Sequence, residues 1–142
     1  MITPIASRRD LVGRILFAVL SLSTLGAFVD GIRLASSAGP DTFFMQWWRT
    51  LAYLVFAAIF ALLALRPRST PGMWEIVLIQ KVTITIIGYL NIHAAEAPRD
   101  STVDLYLVIL MVPAWILCRG WLGWKKERAV QGAGVQQAVD AG

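Results

Sequence analysis

Few residues in this chain could do chemistry, and Lys81 is the first of them. It stands inside a long apolar stretch. A lysine at the centre of a membrane span costs roughly 2.5 to 3.5 kcal/mol on insertion scales, so such a residue faces protein, water or headgroups. On a helix turning about 100° per residue, with Gln80 set at zero, Asn91 lies near 20°, Gly88 near 80°, Lys81 near 100° and Thr85 near 140°. Gln80, Lys81, Thr85 and Asn91 thus form one polar face, the expected binding surface for a lipid-like or anionic amphiphilic ligand. The lysine stem could instead snorkel to headgroups about 10 Å away by helical rise, a role that needs no ligand. No carboxylate partner is evident: Asp30 belongs to the opposite interface, and Glu75 is neither three nor four residues from Lys81. None of the nine acidic residues falls near the middle of an expected span.

The other candidates lie near span ends. Asp30 and Arg33 are neighbours at i and i+3, a spacing that makes a local ion pair. With Arg49, beside Trp47 and Trp48, and with His93, they could form an outward-facing polar mouth. His93 and Glu96 share a helical face, but a metal site needs three or four ligands, so no metal is assigned. Cys118 is the single cysteine and reads as a small apolar packing residue. The chain has no phosphate-binding loop, no GxGxxG and no HExxH. No catalytic residue and no cofactor are assigned, and an enzyme ranks lowest because acid–base chemistry needs positioned groups of matched pKa.

The elements that hold these residues follow from hydropathy. The chain has 142 residues, 57% hydrophobic and 15% charged, with a mean hydropathy of +0.63. An ordinary soluble domain carries roughly 25% charged residues, so the solvent expected here is the lipid bilayer. Four apolar runs of bilayer length predict helices over about 12–34, 43–65, 73–93 and 104–124. Asp41 is the expected N-cap of the second, Arg66-Pro67-Arg68 its stop, and Pro113 an expected kink in the fourth. The run Val82-Thr83-Ile84-Thr85-Ile86-Ile87 would suit a strand in water, but an unpaired strand leaves its backbone unsatisfied in lipid, so helix prevails. The fold class is therefore all-α, an integral membrane four-helix bundle over 1–128, with a disordered cytoplasmic tail at 129–142. Ser23 and Ala27, and Ala57 and Ala61, have the small-xxx-small spacing that allows close helix approach.

Orientation follows from the cations. Arg8, Arg9, Arg14, Arg66, Arg68, Arg119, Lys125, Lys126 and Arg128 fall on one side, and Arg33, Arg49 and Arg99 on the other. By the positive-inside rule both ends and the second loop are cytoplasmic. Trp47, Trp48, Trp74, Trp121 and Trp124 sit at expected span ends, and Trp115 alone in an interior. The net charge of +4 reflects this asymmetry rather than a nucleic-acid surface, because the cations flank apolar runs. A rival reading makes the first run a signal peptide cut after Ser36-Ser37-Ala38; against it, Asp30 and Arg33 intrude before the cut.

The pattern Trp47-Trp48-Arg49-Thr50-Leu51, then Arg66-Pro67-Arg68, then Pro71-Gly72-Met73-Trp74-Glu75, resembles that of small uncharacterised bacterial inner-membrane proteins with four helices. In length and span count it is distantly similar to the DoxX-like families. The resemblance implies a bacterial inner (cytoplasmic) membrane location and a four-helix bundle. DoxX-like proteins are associated with respiratory or sulfur redox chemistry, but no residue of that function maps onto this chain. Membrane sterol isomerases use buried acids, and the expected spans hold no comparable cluster. The leading expectation is a non-enzymatic accessory subunit or binder of a lipid-like ligand, alone, as a homo-oligomer or in a larger membrane complex. A small dimeric transporter comes second, and a membrane enzyme or redox-chain component third.

Overall fold

The computed structural model describes residues 8–93, 97–125 and 128. Four helices follow in order: α1 (Arg8–Ser36), α2 (Pro40–Leu65), α3 (Met73–Leu90) and α4 (Ala97–Leu117). All four are long and apolar enough to cross a membrane. No strand occurs among the described residues. The chain divides into two compact units, Met1–Leu65 and Arg66–Gly142, each built on one helical hairpin. The tail expected to be disordered, 129–142, lies outside the described residues.

In the first hairpin, α2 begins at Pro40, where the missing N–H costs nothing and the fixed φ suits a helix. The Gly39 carbonyl accepts from the Thr42 and Phe43 amides, so Asp41 lies in the first turn rather than at the N-cap. Phe17, Leu20, Phe60 and Leu63 are fully buried between the two helices, with the Phe17 and Phe60 rings 6.1 Å apart. The two helices approach closely at Gly31, where a Cβ would stand 2.8 Å from Thr50 Oγ1 and 3.1 Å from its Cγ2. Thr50 is itself buried and donates to the Gln46 carbonyl at 2.7 Å. Of the small residues expected at helix contacts, Ala57 is buried and its carbonyl accepts from Ser21 at 2.8 Å, whereas Ser23 is exposed. Arg14 ends the hairpin: Nε donates to the Ala64 carbonyl at 2.7 Å and Nη2 to the Leu65 carbonyl at 3.1 Å. A helix leaves its last four carbonyls without intrahelical partners, and α2 has no basic residue in its own last turn, so α1 supplies the cation.

The second hairpin departs from expectation in register. Helix α3 stops at Leu90 rather than 93, with Asn91 as its C-cap. Helix α4 runs over Ala97–Leu117 rather than 104–124. Its N-terminus uses Pro98 in the first turn, where proline is tolerated, although the polar run Arg99 to Asp104 reads as a boundary in sequence. Its C-terminus closes at Arg119, which adopts a left-handed φ of 50°. The Gly120 amide then donates to the Trp115 carbonyl at 3.0 Å and the Arg119 amide to the Ile116 carbonyl at 3.1 Å, a complete Schellman motif. Trp115 consequently lies in the last turn, not in a span interior. Beyond it, the segment from Cys118 to Lys125 covers the 66–72 loop. Arg68 Nε donates to the Cys118 carbonyl at 2.9 Å, and Trp74 Nε1 to the Pro67 carbonyl at 2.8 Å.

Candidate functional site

The seam between α3 and α4 is where the buried polar residues of the second hairpin meet. Trp74, Val77, Lys81 and Thr85 are the buried residues of α3, one helical stripe. On α4 the buried residues include Ser101, Leu107, Met111 and Ala114. Because α4 starts early, Asp104 lies about 10 Å inside it by helical rise, while Lys81 lies about 13 Å from the Leu90 end of α3. The antiparallel helices thus bring the two to the same depth. Lys81 Nζ donates to Asp104 Oδ1 at 2.7 Å, with side-chain exposures of 5% and 15%. This corrects the expectation that no carboxylate partners Lys81. The pair removes the net charge that makes a lone lysine costly to insert, and leaves no need for the stem to snorkel. Thr85, one turn on, donates to the Lys81 carbonyl at 2.7 Å.

The polar face read from α3 is therefore divided. Lys81 and Thr85 are buried in the seam, whereas Gln80 and Asn91 are exposed on the flank. The Asn91 amide donates to the Ile87 carbonyl at 2.8 Å, as part of the helix end. Ser101, which precedes the expected span 104–124, is a buried residue of α4, 3% exposed. The signal for Asp104 was present in the sequence: Pro98 marks a helix start, and Ser101 and Asp104 at i and i+3 share a face.

On the other flank of α3 the hairpin encloses an apolar groove of about 250 Å³, lined by Trp74, Glu75, Leu78, Ile79, Met111 and Trp115. Sequence reasoning did not find it, since it requires α4 to meet α3 in this register. Glu75 Oε1 accepts from Trp124 Nε1 at 3.2 Å. Glu75 Oε2 and Trp115 Nε1 are buried without a hydrogen-bond partner. The Trp115 ring meets Trp121 edge-on at 5.2 Å, and a Cβ on Gly120 would stand 2.4 Å from Trp115 Nε1. Glycine at 120 thus leaves the space that the Trp115 indole occupies.

The residues of the expected outer mouth are distributed over both units. Asp30 and Arg33 are exposed near the end of α1. Arg49, half-buried on α2, donates through Nη2 to Gln46 Oε1 at 2.7 Å. His93 is exposed in the turn after α3, in the second unit, and Glu96 lies outside the described residues. Among the described residues no group of three or more His, Cys, Asp or Glu could hold a metal ion. Cys118 is buried at the end of α4. Comparison with family models, with curated proteins and with solved structures finds no match to this chain.

Proposed function

We propose that this chain is a non-enzymatic multi-pass protein of a bacterial inner membrane, with both ends cytoplasmic, that holds a lipid-like amphiphile in the groove of its second hairpin. The groove itself is the observation that carries this reading. Its wall is Trp74, Leu78, Ile79, Met111 and Trp115, and Glu75 beside them has one carboxylate oxygen without a hydrogen bond. At about 250 Å³ it is smaller than the roughly 300–1,000 Å³ of sites that enclose a whole drug-sized ligand, so it suits one apolar chain of a lipid. Lys81 is neutralised by Asp104, which removes the cation that favoured an anionic headgroup. Native mass spectrometry of the chain extracted in mild detergent should show one retained lipid class. Leu78→Trp, which fills the groove, should release it. A wild-type chain that leaves every mild extract bare sinks this reading.

A second reading, a small transporter, gains from one observation: Asp104 supplies the carboxylate well inside a span that coupled transport of protons or cations needs. Its test is flux. Liposomes containing the chain should then show cation movement driven by a pH gradient, abolished in Asp104→Asn/Lys81→Gln, and tight liposomes would end it.

A further inference from the structure

Helix α3 has three faces with different neighbours. With Gln80 again at zero, the seam residues Val77, Lys81, Trp74 and Thr85 occupy about 60° to 140°, toward α4. The groove residues Leu78, Glu75 and Ile79 extend from about 160° to 260°. The remaining face, from about −60° to 40°, carries Ile76, Gln80, Thr83, Ile84, Ile87 and Asn91, all exposed. Ile76 is 69%, Ile84 39% and Ile87 49% exposed. Gln80 stands at its centre, about 10 Å from the start of the helix.

A primary amide has two donors and an acceptor oxygen, and hydrocarbon satisfies none of them, so an exposed glutamine deep in a span calls for a polar partner. Lipid chains cannot be that partner. A second copy of this chain offers a complement by symmetry. Across a two-fold axis along the membrane normal the two Gln80 residues meet at equal depth, and each amide donates to the other's oxygen. A foreign helix would need its own polar residue at that depth. The flanking Ile76, Thr83, Ile84 and Ile87 are β-branched, with χ1 already restricted in a helix, so ordering them at an interface costs little.

We propose that the α3 stripe Ile76, Gln80, Thr83, Ile84 and Ile87 is the interface of a homodimer, closed by reciprocal hydrogen bonds between the two Gln80 amides. The test is cysteine cross-linking in native membranes, in the full chain carrying Cys118→Ala. Ile84→Cys and Ile87→Cys should give disulfide dimers on mild oxidation. Val82→Cys and Ile86→Cys, equally membrane-embedded but at about 200° and 240°, should not. Adding Gln80→Leu to Ile84→Cys should reduce the dimer roughly five- to tenfold, while Gln80→Asn retains part of it. Equal cross-linking at all four positions, monomer at all four, capture of a different protein at Ile84→Cys, or a dimer undiminished by Gln80→Leu would each overturn the proposal. The contrast between faces is read in chains that keep Gln80, so it stands even where Gln80→Leu fails to fold. Lipid retention in the groove is a separate measurement on the opposite flank, so either proposal can fail alone.

Discussion

Lys81 shows how one residue's environment converts a liability into a structural constraint. Its ion pair with Asp104 at 2.7 Å is enclosed between two helices, where neither charge has bulk water to fall back on. Lys81→Met alone should therefore destabilise the chain by about 3 to 5 kcal/mol, because Asp104 is left buried and unpaired. Asp104→Leu should cost a similar amount for the converse reason. The double variant Lys81→Met/Asp104→Leu should regain most of that loss, since a well-packed apolar pair of similar volume is often neutral or better. Unfolding of the four proteins in one detergent measures the coupling, and simple additivity of the two losses would refute the pair. Gly31 offers a second test at this scale. Gly31→Ala drives a Cβ into Thr50 and should cost about 1 to 3 kcal/mol, by forcing α1 and α2 apart. Gly26, whose Cβ would meet nothing within 4 Å, is the matched control. There the same change should stabilise by about 0.5 to 1 kcal/mol through helix propensity.

At the scale of elements, both hairpins finish a helix C-terminus with an arginine from elsewhere in the same unit. Arg14 of α1 donates to the last carbonyls of α2, and Arg68 of the second loop to the Cys118 carbonyl just past α4. The carbonyls at a helix end carry the negative pole of the helix dipole, so a cation is favoured electrostatically as well as by hydrogen bonding. Arg14→Gln should cost about 1.5 to 3 kcal/mol, the range for hydrogen bonds to a charged group, and hydrogen exchange should rise in the last turn of α2 first. Exchange unchanged there would mean that the cap is not stabilising. The end of α4 predicts the opposite sign. Arg119 holds a left-handed conformation that costs a non-glycine residue about 1 kcal/mol, so Arg119→Gly should raise thermal stability. The adjacent Gly120→Ala should lower it by displacing Trp115.

For the whole molecule, four apolar helices joined by short turns imply a topology that labelling can read. In a Cys118→Ala background, Ser69→Cys in the exposed turn between the hairpins should react only from the cytoplasm, and His93→Cys in the turn after α3 only from outside. Labelling of Ser69→Cys from outside would invert the orientation. Much of this level was legible without coordinates. Span number depends on apolar runs long enough for the bilayer, and helix over strand depends on satisfying the backbone in lipid, both properties of local sequence. That Lys81 must face protein, water or headgroups was equally legible, from the cost of its charge. Which residue answers it was not, because the span rule starts α4 at the last polar residue, Asp104, whereas the helix starts at Ala97 and carries that carboxylate inward. The groove and the division of Gln80 from Lys81 depend on the same antiparallel register. Hydropathy counts how much apolar surface a helix has, but only the contact between two helices decides which of its faces is covered, by what, and at what depth.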